Sequence, residues 1–259
     1  MNVAPLTWLY VPADRLDRVE KAIASRAHAV IVDLEDGVAP HAKDTARVNL
    51  AQLPRADKPV YVRVNAGNAA DLAAVASLVL GGIVVPKVET PDDVPAVEHP
   101  IVALIESAAG LEAAYDIARH PRVAGLGLGE ADLGSQTGAT DLDWARARIV
   151  NAAVAAGLPR PPQSVYPHVK DEDGLEQSCR RGRELGHLGR TAIHPAQLPV
   201  IEAVYLPTAD ELERARATIA RLDADGVGTL DDGQFVDAAM LGAARQIVAL
   251  AERYGPGPS

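Results

Sequence analysis

The chain has 259 residues, of which 48% are hydrophobic and only 3% aromatic, and its formal net charge is -10 at pH 7. This charge repels nucleic acids and anionic membranes, and no run of basic residues offsets it, so we expect neither as a partner. A core built from Ala, Val, Leu and Ile instead suits helices packed on a parallel sheet, and the length suits a single α/β barrel.

The cellular compartment is predicted from three features that the sequence lacks: a cysteine pair, a signal-peptide start and a membrane-spanning segment. Cys179 is the only cysteine, which rules out an internal disulfide. The opening stretch, MNVAPLTWLYVPADR, lacks the basic start of a signal peptide, and no apolar segment reaches the length of a membrane span. We therefore expect a cytoplasmic protein whose partner is a small molecule.

Short apolar runs alternate with amphipathic helical patterns along most of the chain. Eight of these runs are typical of buried strands, at residues 6–11, 28–33, 59–64, 82–86, 100–106, 123–129, 163–167 and 190–195. Pro161, Pro162 and Pro167 crowd the seventh run, a composition that weakens strand pairing. Repeated alternation of strand and helix predicts a TIM (β/α)₈ barrel over residues 1–207.

The pattern changes after the eighth run. Thr208, followed by Glu211 three residues later, predicts a capping box at the start of a helix. A turn-rich piece, DGVGTLDDGQFVD, then precedes a final apolar helix. We predict that residues 208–259 form a C-terminal helical arm or lid that contacts a neighbouring subunit.

Charged residues follow the predicted strands at their carboxyl ends. In a parallel barrel these ends converge on one mouth, where the catalytic groups lie. The residues at these positions are Asp33, Glu35, Asp36, Arg63, Lys87, Glu106, Glu130, Asp132 and His194.

A structural role explains several of these residues equally well. Asp36 or Asp132 would serve as a helix cap, Lys87 as a salt-bridge partner, and His194 is expected only to fix a turn before Pro195. Glu106 and Arg63 resist such explanations. A lone carboxylate at the end of an apolar strand is costly unless it is paired or binds a metal, and a Val-rich strand end is an unusual place for a surface arginine.

The sequence resembles the HpcH/HpaI aldolase/citrate lyase superfamily, in particular its citrate lyase beta-subunit-like branch with the malyl-CoA and citramalyl-CoA lyases. The resemblance runs from about Leu6 to the C-terminal helix, with the motifs in order. These motifs are LYVPADRLDRVEKA, AVIVDLEDGVAPHAKDTAR, VRVNAG, VVPKVE, ALIESAAGL, GLGLGEADLG and AIHPAQLPVI.

The resemblance implies a TIM barrel that binds Mg²⁺ through Glu106 and Asp132. Arg63 would contact the carboxylate or carbonyl oxygens of the substrate, and Glu106 would contact the substrate as well. An all-carboxylate pair with open positions suits a hard cation, whereas zinc prefers histidine or cysteine.

The resemblance also implies roles for residues around the metal. Glu35 and Asp36, together with Lys87, would surround metal-bound waters, while Asp33 is expected to brace their loop. Asp237 matches a catalytic acid that a neighbouring subunit's arm brings over the active site, and the family commonly forms trimers.

The activity implied is reversible Claisen or aldol cleavage of a 3-hydroxyacyl-CoA, of the citryl-, malyl- or citramalyl-CoA type, to an acyl-CoA and a 2-keto acid. Two alternatives stay open. One is a CoA-independent 2-keto acid aldolase of the same superfamily, and the other is a barrel that binds a ligand without catalysis.

Overall fold

A computed structural model describes residues 4–230, 232–255 and 257 of the chain. It comprises two compact units: residues 5–201, and the described residues among 1–4 and 202–259. The first unit contains a curled, seven-stranded parallel sheet of TIM-barrel type, in the order β6-β5-β4-β3-β2-β1-β7. Its strands are β1 Thr7–Pro12, β2 Ala29–Asp33, β3 Val60–Arg63, β4 Gly82–Val85, β5 Ile101–Ile105, β6 Val123–Leu128 and β7 Arg190–Ala192.

Helices follow most strands, as the alternating pattern predicted. They are α1 Leu16–Ala24, α2 Lys43–Leu50, α3 Ala69–Val75, α4 Ala108–Glu112, α5 Ala114–Ala118, α6 Glu130–Thr137, α7 Asp143–Ala155, α8 Glu172–Glu184 and α9 Leu198–Tyr205. None of the described helices is long and apolar enough to cross a membrane.

The predicted strand at residues 163–167 is wrong as a regular element. Only Gln163 makes a parallel bridge, to Arg190 at the start of β7. Pro161 and Pro162 lack the N–H groups that a sheet ladder needs, so no pairing precedes this bridge.

One face of the sheet carries an apolar cluster that includes Trp8, Ile31 and Val84. Because side chains alternate along a strand, the residue two positions further on lies on the same face, nearer the carboxyl end. This alternation places a charged residue directly beyond a residue of the cluster, or one packed against it, within or just after three strands. The pairs are Ile31 and Asp33, Tyr61 and Arg63, and Leu104 and Glu106.

The second unit begins as predicted. Helix α10, Ala209–Asp225, has a capping box in which Thr208 Oγ1 accepts from the N–H of Glu211 at 3.2 Å and Glu211 Oε2 accepts from the N–H of Thr208 at 3.0 Å. A short antiparallel pair, β8 Gly228–Thr229 and β9 Phe235–Val236, precedes α11, Ala238–Tyr254. Asp231 of the turn-rich piece lies outside the described residues. That this unit reaches a neighbouring subunit stays a prediction.

Candidate active site

Asp33 and Arg63 form the centre of the strand-end cluster. They are direct partners in the register of β2 and β3, so adjacent strand ends bring them together. Asp33 Oδ1 accepts from Arg63 Nε at 2.7 Å and Oδ2 accepts from Nη2 at 2.6 Å, while the guanidinium lies 4.9 Å from the Tyr10 ring centroid. This bidentate geometry fixes the plane of the guanidinium.

Asp33 also braces the loop that follows β2, as predicted. Its carboxylate accepts from the N–H of Glu35 at 2.9 Å and from the N–H of Gly37 at 2.8 Å. A Cβ on Gly37 would lie 2.5 Å from Asp33 Oδ2, so the loop requires a glycine there. Asp33 thus holds the β2 loop and Arg63 together.

Glu35 is buried and lies between two cations. Its Oε2 is 3.0 Å from Arg63 Nη1, an ion pair without hydrogen-bond alignment, and its Oε1 is 3.3 Å from Lys87 Nζ. Burial raises the pKa of the Glu35 carboxyl, the charge of Arg63 opposes that shift, and the exposed Asp36 adds to it. Burial by itself would lower the pKa of Arg63, but the hydrogen bonds and charge of Asp33 outweigh it and the pKa is raised.

Glu106 follows β5 and is buried. Its Oε2 accepts a hydrogen bond from the N–H of Lys87 at 3.0 Å. Burial, with the charges of Glu35 and Asp132, raises the pKa of Glu106 to about 7. Glu106 therefore belongs to the same electrostatic cluster as the β2 loop, although it comes from a distant part of the chain.

Asp132 lies in the first turn of α6 and is exposed. The N-cap of this helix is Gly129, and no side chain caps it. Asp132 therefore does not serve as the helix cap that its position also suggested. The negative charge of Asp132 contributes to the raised pKa of Glu106, so the two predicted metal ligands interact electrostatically.

Two other candidates have structural roles. Glu130 accepts from Arg146 of α7, from Nε at 3.0 Å and Nη2 at 2.5 Å, which ties the start of α6 to α7. His194 Nδ1 accepts from the N–H of Ala196 at 3.2 Å, so His194 fixes the turn at Pro195 as expected.

A model of the HpcH/HpaI aldolase/citrate lyase family matches residues 6–195. The chain belongs to this family. A (3S)-malyl-CoA thioesterase from Cereibacter sphaeroides is 35% identical over 94% of this chain and 93% of the relative. An L-malyl-CoA/beta-methylmalyl-CoA lyase from the same species is 32% identical, with the same shares covered.

Solved structures place the fold in the same family. The CitE protein from Mycobacterium tuberculosis, crystallised with magnesium, acetoacetate and coenzyme A, superposes with a TM-score of 0.84 at 31% identity. The match covers 97% of this chain and 99% of that one. The predicted family and the predicted TIM-barrel fold are therefore confirmed.

Glu106 and Asp132 offer only carboxylate oxygens, which are the ligands that a hard cation prefers. Within the described part of the chain, no three histidine, cysteine or carboxylate side chains are grouped so as to enclose a metal ion by themselves. Glu106 and Asp132 would thus supply two oxygen ligands and leave the other positions to water or substrate oxygens, an arrangement that suits Mg²⁺. A bound cation would also relieve the mutual repulsion of the carboxylates.

Sequence reasoning missed a buried support behind the β2 loop. Lys43 Nζ donates to the carbonyl oxygens of Leu34 at 3.0 Å and Glu35 at 3.1 Å, and to Asn65 Oδ1 at 2.5 Å. Asp71, which is fully buried, accepts from both the N–H and the side-chain amide of Asn65, at 2.8 and 2.6 Å. Lys43 and Asp71 lie on helices, so no strand-end signal marks them.

Substitution of Gly129 tests whether Mg²⁺ binding depends on the exact position of the Glu106 side chain. A Cβ at this position would lie 2.5 Å from Glu106 Cγ, and the backbone φ of -89° is allowed for alanine. We expect Gly129→Ala to fold normally but to weaken Mg²⁺ binding by about tenfold or more, since displaced supporting groups cost 10–100-fold in metal affinity. Titration calorimetry measures this.

Gly125→Ala is the matched control for this substitution. Gly125 lies on β6, the strand that Gly129 directly follows, and its Cβ would make only an ordinary contact, 3.6 Å from Val102 of β5. Equal Mg²⁺ affinity in the two variants would contradict the assignment of Glu106.

Proposed function

We propose that this protein is a Mg²⁺-dependent carbon–carbon lyase that cleaves or forms a 3-hydroxyacyl-CoA of the citryl-, malyl- or citramalyl-CoA type, with a 2-keto acid as the other product. One observation supports the proposal most strongly: three groups meet at the carboxyl end of the parallel sheet. They are the buried carboxylate of Glu106, the Arg63 guanidinium that Asp33 holds in place, and Asp132. The names of the lyase relative and the ligands of the CitE structure support it.

Glu106 and Asp132 would hold the metal. When bound there, Mg²⁺ would supply Lewis-acid chemistry that favours negative charge on the oxygens of the 2-keto acid. In the cleavage direction the 3-hydroxyl group loses its proton, the bond between carbons 2 and 3 breaks, and the electron pair passes to the thioester as an enolate. Carbon 2 then takes up a proton to give the acyl-CoA.

Arg63 is suited to stabilise the oxyanion that develops in this reaction. A guanidinium has five N–H donors; two are bound to Asp33 and one faces Glu35, which leaves two for the substrate. Because Asp33 fixes the guanidinium before the substrate arrives, little reorganisation is needed in the transition state. Glu35, Asp36 and Lys87 would orient water beside the metal.

Thioester hydrolysis is the second candidate, because the (3S)-malyl-CoA thioesterase relative shares 35% identity across nearly the whole chain. Hydrolysis breaks the carbon–sulfur bond, adds water, and releases a hydroxy acid and free CoA. The two reactions differ in every product, so one assay separates them.

The deciding experiment incubates the protein with a panel of 3-hydroxyacyl-CoA esters and, separately, with the corresponding free hydroxy acids, with Mg²⁺ or with a chelator. We expect a 2-keto acid and an acyl-CoA in equal amounts, with Mg²⁺ only. Free CoA without a keto acid would identify a thioesterase. Cleavage of hydroxy acids without CoA would identify an aldolase, and binding without turnover a ligand-binding barrel.

As part of this proposal, the C-terminal unit would act in trans within a homotrimer. Asp237 Oδ1 caps α11 by accepting from the N–H of Ala239 at 2.9 Å, and we propose that the carboxylate also exchanges the proton at carbon 2 in a neighbouring subunit. Asparagine caps helices as well as aspartate does, so Asp237→Asn should remove the proton donor and keep the helix.

Subunit mixing tests the action in trans. We expect Asp237→Asn and Glu106→Gln proteins to be inactive separately and to recover activity when their subunits exchange, because some sites then receive both native residues. Demonstrated exchange without recovery, or an active monomer, would contradict it. The activity assay records the recovery, and size-exclusion chromatography with light scattering records the oligomer.

A further inference from the structure

Lys87 has an unusual backbone conformation. Its φ is +57°, and it is the only non-glycine residue with a positive φ in the described ranges. This left-handed region disfavours residues that carry a Cβ, whereas glycine adopts it freely. A lysine at this position therefore calls for a reason that outweighs the strain.

The backbone of Lys87 serves Glu106. Its N–H donates to Glu106 Oε2 at 3.0 Å, and Lys87 itself lies two residues after the end of β4. The next residue, Val88, is fully buried and donates its own N–H to the carbonyl of Leu104 at 3.3 Å, which anchors the turn to β5. Glycine would form the same turn with less strain, so the backbone role does not explain the lysine.

The side chain of Lys87 reaches a different acid. Its Nζ lies 3.3 Å from Glu35 Oε1, while Arg63 Nη1 lies 3.0 Å from the other oxygen of the same carboxylate. The Lys87 side chain is 54% exposed, but that of Glu35 is only 6% exposed. Two cations from neighbouring strand ends thus hold one buried carboxylate from opposite oxygens.

We propose that Lys87 is a positioning residue whose ammonium group fixes the Glu35 carboxylate beside Glu106, and that the chain retains a lysine in a strained turn for this purpose. The inference rests on the proposed function insofar as Glu35 contributes to the lyase site. One residue would then align two acids, Glu106 through its N–H and Glu35 through its ammonium.

The test compares Lys87→Gly with Lys87→Ala. Both remove the ammonium group, but only alanine keeps the strained Cβ. We expect kcat to fall by the same factor in both, about tenfold or more. We expect the glycine variant to melt about 2–4 °C above the alanine variant, because the strain is relieved. A residue needed only for folding would show activity that follows the melting temperature.

A double-mutant cycle with Glu35→Gln completes the test. If the ammonium acts through Glu35, Lys87→Gly should change kcat less than about twofold in the Glu35→Gln background. A glycine variant with the kcat of the parent, losses that multiply across the cycle, or activity ranked by melting temperature would each overturn the proposal.

The free energy of unfolding of the same four proteins is also measured in urea, because it does not depend on the reaction. If the parent turns over no ester, the proposed function fails. The coupling between Lys87 and Glu35 in unfolding free energy then tests the positioning contact independently. Measurable coupling supports the positioning role, and additive effects overturn it.

Discussion

Glu106→Gln and Asp132→Asn are each expected to abolish Mg²⁺-dependent turnover, with a fall of more than about a hundredfold in kcat/KM. Each substitution replaces an anionic oxygen ligand by a neutral amide of nearly the same shape. Because burial makes the ionised Glu106 carboxylate costly, its loss should not lower the melting temperature measured without metal.

The parent and the two variants should differ most in their response to Mg²⁺. A ligand that binds the folded state at a hundred times its Kd stabilises it by about 2.7 kcal/mol. We expect the corresponding rise in melting temperature in the parent and in neither variant, with calorimetry recording the lost binding.

Glu112→Gln is the control for Glu106→Gln. Glu112 lies at the end of α4, with a side chain that is 70% exposed and paired with Arg148. Its substitution should leave the Mg²⁺ response and turnover unchanged. Equal Mg²⁺ affinity in the Glu106→Gln variant and the parent would refute the metal assignment.

Arg63→Lys should lower kcat by about 10²–10³, the effect of removing one oxyanion donor. Lysine lacks the planar fork of arginine, so it would satisfy Asp33 with one hydrogen bond instead of two and leave no fixed donors for the substrate. A lower melting temperature is expected as well, because Asp33 is buried and would be incompletely paired.

Arg47→Lys separates this loss of stability from the loss of catalysis. Arg47 Nε binds the buried Asp71 at 2.6 Å, so this variant also weakens an arginine pair with a buried aspartate. We expect a comparable fall in melting temperature with kcat within about fivefold of the parent. Similar losses of kcat in both variants would make Arg63 a structural residue.

The roles of the strand-end residues were only partly predictable from the sequence. Glu106 stood out because a carboxylate at the end of an apolar strand needs a partner or a metal, and its burial agrees with that reasoning. Glu130 and Asp132 both follow β6, and only the family resemblance distinguished them as candidates. The structure adds a physical reason, because Arg146 lies on another helix and occupies both oxygens of Glu130.

The sequence by itself determined the family, the order of strands and helices, and the end of the sheet where acids and cations collect. These features depend on local periodicity and on the rule that parallel strands present their carboxyl ends together. The tertiary structure decided that Asp33 holds Arg63, that Lys43 supports the carbonyls of the β2 loop, and that Lys87 takes a left-handed conformation. It also limited the predicted seventh strand to one bridge. These outcomes depend on partners distant in the chain and on the exact path of each loop, which periodicity does not encode.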